Sequence, residues 1–202
     1  ENLRQSAAAK LADNVKSYNT HLTTGFLGTP YLCHVLSRYG YNDLAYELLF
    51  QETYPSWLYP VKMGATTIWE RWDGIKPDSS FQTPGMNSFN HYAYGAIGDW
   101  MYRVVAGLDT YEDGVGYKHI RIKPLVGGKF EFVKAKLDTY YGEVSSAWKK
   151  EAGKTMYSIV IPGNTTATII LNSGKSINCD GQSLDKIPEL KVISQQNGQI
   201  EV

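Results

Sequence analysis

The sequence comprises 202 residues, of which 43% are hydrophobic, so the chain is long and apolar enough to bury a sizeable core in one large or two small domains. Lysine and arginine together number 20, as do aspartate and glutamate, and the formal net charge is zero. This balance argues against nucleic acid or an anionic membrane surface as the main partner.

The first part of the chain shows apolar residues at helical spacing. One apolar stripe marks the first predicted helix: Leu3, Ala7, Leu11, Val15 and Tyr18. A second helix is predicted to begin at Thr29 and Pro30, a capping residue followed by a first-turn proline, and to end at Gly40. Asn42 is expected to cap a third helix, and a short fourth begins near Ser56.

The most regular helical pattern lies between residues 93 and 108. Its apolar residues alternate between three- and four-residue spacing: Ala93, Ala96, Ile97, Trp100, Met101, Val104, Val105 and Leu108. Gly95 and Gly98 belong to the same predicted helix, where glycine is unfavourable. They therefore suggest close approach of a neighbouring helix or of a ligand.

Beyond Leu108 the apolar period falls to two, which is typical of strands. The alternating apolar residues are Ile120 and Ile122, then Tyr157, Ile159 and Ile161, then Ala167, Ile169 and Leu171. Turn signals occur at residues 126–128, 151–153, 162–164, 172–174, 180–181 and 197–198. This pattern predicts an antiparallel β-sandwich over residues 109–202, preceded by a helical region over residues 1–108.

Other features narrow the class of protein. The chain begins at Glu1 without a methionine, so we expect it to derive from something longer, and no signal peptide or apolar run of membrane-spanning length is seen.

Cys33 and Cys179 lie in regions of different periodicity and are expected to be free thiols. Without a Cys/His cluster, neither a metal site nor a cofactor is expected. The sequence does not determine the cellular compartment, although a periplasmic or secreted location is slightly favoured over a cytoplasmic one.

Residues 64–74 combine two tryptophans with an isolated acid, because Glu70 stands between Trp69 and Trp72. Aromatic platforms beside a carboxylate suit a sugar-binding site. The alternative is a capping box, in which Thr67 begins a helix and Glu70 reaches back to a backbone N–H, or an ion pair with Arg71.

Six segments resemble, in order and at matching intervals, the C-terminal part of bacterial α-L-rhamnosidases of glycoside hydrolase family seventy-eight. They are residues 24–30, 43–46, 48–49, 54–57, 64–74 and 91–96, and the resemblance covers essentially the whole chain. It implies the last helices of a partial (α/α)6 barrel followed by a C-terminal antiparallel β-sandwich. It also implies a part in removing terminal α-L-rhamnose from glycosides with inversion. The acidic motif that supplies the general acid and most rhamnose contacts is missing from these residues.

The resemblance also assigns roles to individual residues. Inverting glycosidases use one carboxylic acid and one carboxylate roughly 6.5–9.5 Å apart, and the resemblance places the general base at Glu70. It implies that His91 contacts hydroxyls of the bound sugar, whereas a lone histidine at a helix start is more often a cap or a core residue. Trp69 and Trp72 are candidates for a hydrophobic wall beside the sugar's methyl group, with ordinary barrel packing as the alternative.

The implied partners are a rhamnose-containing glycoside or polysaccharide and the missing N-terminal part of the same barrel, with no nucleic acid and no membrane insertion. Three alternatives remain from the sequence. The chain could be a carbohydrate-binding module that grips glycan on Tyr140 and Tyr141, a purely structural C-terminal module, or part of another (α/α)6-barrel glycosidase.

Overall fold

The computed structural model describes residues 1–172, 176–196 and 198–202, which form two units. The first contains residues 1–100 and 127–130, and the second contains residues 101–126 and 131–202. The predicted turn residues Ser173, Gly174 and Asn197 lie outside the described residues. The prediction of helices followed by strands is confirmed, while the exact domain boundary at residue 108 stays a prediction.

The first unit is helical, as the spacing of its apolar residues predicts. Its α-helices are α1 (Asn2–Ser17), α2 (Thr29–Arg38), α3 (Asn42–Leu49), α4 (Leu58–Lys62) and α5 (Ile97–Trp100). α2 packs against α1, α3 and α5 and so lies at the centre of the described helices. Its residues Leu32, Cys33 and Leu36 are at most 4% exposed.

The buried residues of α1 coincide with the predicted stripe only at Val15. Ala8, Ala12 and Val15 are buried, whereas Leu3 and Ala7 are exposed. Alanines occupy several faces of this helix, so periodicity alone could not select the face that packs.

Two predicted helix caps are shifted. Thr29 is the first residue of α2 rather than its cap, and its hydroxyl donates to the carbonyl of Thr24 at 3.1 Å. Asn42 is likewise the first residue of α3, and Tyr41 occupies the cap position. Pro30 does stand in the first turn of α2, and Gly40 follows the C-cap residue Tyr39, as predicted for the end of that helix.

The predicted helix over residues 93–108 is interrupted. Residues 93–96 form a 3-10 turn, α5 follows, Met101–Val105 is a π-helical turn, and Leu108 already belongs to a strand. The carbonyls of Val105 and Ala106 accept hydrogen bonds from Trp148 Nε1 at 2.8 Å and Ser146 Oγ at 2.6 Å. These side chains provide partners outside the helix, and the helical pattern therefore ends before Leu108.

The expected close approach of a neighbouring helix at Gly95 and Gly98 is also wrong for the described residues, while the alternative of a ligand stays a prediction. A Cβ atom added at Gly98 would meet nothing within 4 Å, and one added at Gly95 would make an ordinary contact of 3.5 Å with Ile68. Neither glycine is therefore required by a neighbouring helix in the described structure.

The second unit contains two sheets. Its strands are β1 (Leu108–Thr110), β2 (His119–Ile122), β3 (Phe132–Thr139), β4 (Gly142–Glu151), β5 (Lys154–Val160), β6 (Thr166–Asn172), β7 (Ser194–Gln196) and β8 (Gln199–Glu201). One sheet has the order β1-β2-β6-β8-β7 and the other β3-β4-β5. All described pairs are antiparallel except β2 with β6, which is parallel. The prediction of an antiparallel sandwich is therefore correct except for this pair. The chain forms β3, β4 and β5 in the other sheet before it returns as β6 beside β2.

The two sheets pack face to face. Leu108, Ile120 and Ile122 from one sheet form a cluster with Val144 from the other, and all four are at most 1% exposed. Ile120 and Ile122 alternate with the less buried His119 and Arg121, as predicted.

Candidate functional site

The segment that carries Glu70 is held by a second loop rather than by a helix. Glu70 N donates to the carbonyl of Ser88 at 2.8 Å, and His91 N donates to the carbonyl of Ile68 at 2.9 Å. No helix begins at Thr67, whose hydroxyl instead donates to a carbonyl of the second loop. The capping-box interpretation of Glu70 is therefore wrong. This pairing brings residues 68–70 alongside residues 88–91. Glu70 and His91, the two predicted polar site residues, therefore belong to one local structure.

The carboxylate of Glu70 is oriented by one hydrogen bond and can accept more. Its Oε2 accepts a hydrogen bond of 2.8 Å from Ser88 N, and the residue is partly exposed. No other hydrogen bond or ion pair to this carboxylate is present in the described part of the chain. Arg71 pairs with Asp73 at 3.3 Å instead. One carboxylate oxygen thus fixes the side chain, and Oε1 remains available to a ligand.

The two predicted tryptophans occupy different environments. Trp69 is 5% exposed and packs edge-on against Phe89, with ring centroids 5.0 Å apart. Trp72 is half-buried and stacks on Tyr94, with centroids 3.7 Å apart and an interplanar angle of 21°. The burial of Trp69 favours a packing role, whereas Trp72 keeps part of its surface available.

His91 belongs to a continuous series of ring contacts, which we call the aromatic ladder: Trp72, Tyr94, Phe26, His91 and Tyr92. The centroid separations after the first pair are 5.0, 4.7 and 5.3 Å. His91 Nδ1 accepts a hydrogen bond from Ala93 N at 3.3 Å, so the proton of the neutral ring resides on Nε2. The edge of the imidazole therefore presents a hydrogen-bond donor.

Tyr54 and the ladder member Tyr94 both remain protonated. Burial, followed by the negative charge of Asp73, raises the pKa of Tyr54. Burial is also the main cause of the raised pKa of Tyr94, and the nearby Arg71 only partly opposes it. Both phenols are therefore neutral at neutral pH and can act as hydrogen-bond donors.

Four contributors to this site were not singled out from the sequence: Ser88, Phe26, Tyr92 and Tyr94. The three aromatic ones lie in segments 24–30 and 91–96, which carried the family resemblance, and that position was the available signal. Ser88 acts through its backbone, which any residue could provide, and the sequence therefore contains no signal for it.

Residues 1–172, 176–196 and 198–202 contain no group of three or more His, Cys, Asp or Glu side chains that could hold a metal ion. Cys33 and Cys179 are free thiols, as predicted, and burial raises the pKa of Cys33 to about 12. In the same part of the chain, no helix is both long and apolar enough to cross a membrane.

Family models match most of the sequence. Residues 1–105 match the bacterial α-L-rhamnosidase six-hairpin glycosidase domain, and residues 107–183 match the bacterial α-L-rhamnosidase C-terminal domain.

Relatives agree with these matches. An α-L-rhamnosidase of Streptomyces avermitilis is 47% identical over 167 residues, which are 83% of this chain and 16% of the relative. One of Formosa agariphila is 41% identical over 204 residues, covering 100% of this chain and 22% of the relative. The crystal structure of the Streptomyces avermitilis α-L-rhamnosidase complexed with L-rhamnose has a TM-score of 0.87 at 40% identity, covering 98% of this chain and 19% of that one. The chain therefore spans only about a fifth of the length of these proteins.

These matches place the chain in the class of six-hairpin glycosidases. Within that class, it belongs to the bacterial α-L-rhamnosidase family. The resemblance found in the sequence is confirmed, and a different barrel glycosidase is no longer an alternative.

Proposed function

We propose that this chain is the C-terminal part of an inverting α-L-rhamnosidase, which removes terminal α-L-rhamnose from a glycoside or polysaccharide. In this proposal the chain supplies the general base, Glu70, and the missing N-terminal part of the barrel supplies the general acid. The observation that carries the proposal is the carboxylate of Glu70, oriented by Ser88 N–H and open at its second oxygen.

Glu70 accepts a proton from a water molecule, whose oxygen attacks the anomeric carbon from the face opposite the leaving group. The glycosidic C–O bond breaks as the general acid protonates the leaving oxygen. Attack from the opposite face converts the α-linked sugar into β-L-rhamnose. The water requires room between the two carboxyl groups, and a separation of roughly 6.5–9.5 Å provides it.

His91 and the tryptophans bind the sugar in this proposal. His91 donates its Nε2–H to a sugar hydroxyl, because Nδ1 is already engaged by a backbone N–H. Trp72 forms the apolar wall beside the methyl group, supported from behind by Tyr94. Trp69 contributes from the interior by packing against Phe89 and fixing the segment that carries Glu70.

We expect residues 1–202 alone to show no hydrolysis of p-nitrophenyl α-L-rhamnoside, because a base without its acid cannot expel the leaving group efficiently. The complete enzyme should hydrolyse the same substrate. Release of p-nitrophenol, measured against heat-denatured samples of each protein, tests both statements. Turnover by the short chain would show that the chemistry does not need the missing acid, and an inactive complete enzyme would refute the proposed activity.

A further inference from the structure

Tyr92 is the most exposed member of the aromatic ladder. Its side chain is 88% exposed, although its ring stacks on His91 at 5.3 Å with an interplanar angle of 8°. The ring of Phe26 also stacks on His91, at 4.7 Å and 12°. Three rings thus lie nearly parallel, and Tyr92 is the most exposed of them.

The backbone around Tyr92 is fixed on both sides. His91 N donates to the carbonyl of Ile68, and Gly95 N donates to the carbonyl of Tyr92, each at 2.9 Å. A 3-10 turn begins directly afterwards, at Ala93. A large aromatic side chain is therefore displayed on a rigid backbone, in the way that a preformed binding surface requires.

Hydrogen bonding limits how His91 can meet a ligand. Its Nδ1 is engaged by Ala93 N, so Nε2–H is the ring donor that a sugar hydroxyl can meet. The exposed ring of Tyr92 lies 5.3 Å from the imidazole, within reach of a group joined to that sugar. Flat rings with an apolar face, whether aryl or pyranose, bind such a surface by stacking.

We propose that Tyr92 is a specificity-determining residue that stacks on a flat ring of the group linked to rhamnose. This inference rests on the proposed function, because it places the rhamnose at the edge of His91. Tyr92 does not touch the reacting atoms; it binds the leaving group and so favours substrates whose leaving group carries a ring.

The test compares the complete enzyme with its Tyr92→Ala and Tyr92→Phe variants on three substrates: methyl α-L-rhamnoside, an aryl α-L-rhamnoside and a rhamnosyl-glucoside. Tyr92→Ala should lower kcat/KM about 3- to 10-fold for the two ring-bearing substrates and leave it within about 2-fold for the methyl glycoside. Tyr92→Phe keeps the stacking face and should retain activity on all three. Tyr18→Ala, which removes a 55% exposed tyrosine at the end of α1, is the matched control and should change none of them.

A loss confined to the aryl substrate or to the disaccharide supports the proposal and identifies the ring that stacks. Equal losses on all three substrates, or no loss on either ring-bearing one, would overturn it. If Tyr92→Ala fails to fold, Tyr92→Gln supplies the same comparison. Inactivity of the unaltered enzyme on every rhamnoside would instead contradict the proposed function, so the two failures are distinguishable.

Discussion

Replacing Glu70 by glutamine is expected to lower kcat of the complete enzyme by about 10²–10⁴, with only a modest change in KM. Glutamine keeps the length of the side chain and a carbonyl oxygen that can accept the hydrogen bond from Ser88 N. It cannot take a proton from water, so the loss should appear in the chemical step. Steady-state kinetics with a rhamnoside measure this directly.

Glu52→Gln is the matched control for this substitution. Glu52 is an exposed acid of the same unit, and it pairs with Lys62 at 3.0 Å. Surface ion pairs of this kind contribute at most about 1 kcal/mol, so activity should be nearly unchanged. Near-normal kcat in Glu70→Gln, with an unaltered Tm, would remove Glu70 from the mechanism and leave it a role in holding the loop at Ser88.

Gly107→Ala is expected to prevent stable folding of the β-sandwich. Gly107 has a φ of +72°, and an added Cβ atom would lie 2.1 Å from Pro124 N and 2.2 Å from Lys123 C. These are backbone atoms, which cannot move aside as a flexible side chain would. The contact lies next to Leu108 at the start of β1, so we expect a loss of at least about 4 kcal/mol of stability.

Gly163→Ala provides the comparison for Gly107→Ala in the same unit. A Cβ atom at Gly163 would meet nothing within 4 Å, and that residue does not have a positive φ. Thermal unfolding and soluble yield should be close to those of the unaltered protein for Gly163→Ala and strongly reduced for Gly107→Ala. A Tm for Gly107→Ala within a few degrees of the original would contradict the packing observed there.

Features set by neighbouring residues were predictable from the sequence. The alternation around Ile120 and Ile122 gave the correct buried face, because a half-buried strand must place every second side chain inside. The turn at residues 151–153 correctly separated two antiparallel strands, β4 and β5. Gly40 correctly marked the end of α2.

Features set by distant partners were not predictable in the same way. The helical spacing over residues 93–108 continues past the point where Trp148 and Ser146 bind the free carbonyls. Those side chains lie about forty residues further along the chain, so no local pattern reveals them.

In the candidate site, too, residue types could be predicted from the sequence but contacts with distant residues could not. Glu70 and both tryptophans could be selected because their residue types and the family resemblance pointed to them. The sequence could not show that Trp69 is covered while Trp72 is partly open, since both stand in one short segment. Nor could it show that Glu70 is oriented by the backbone of Ser88, eighteen residues away.

Azide rescue of Glu70→Ala in the complete enzyme shows whether Glu70 activates the water that attacks with inversion. The truncation leaves space for a small anion where the water would be activated, and azide needs no base to attack the anomeric carbon. With p-nitrophenyl α-L-rhamnoside, azide should increase p-nitrophenol release by Glu70→Ala and yield β-L-rhamnosyl azide, identified by NMR. An α-configured azide, or a rate that azide does not change, would contradict the assignment of Glu70 as the general base of an inverting enzyme.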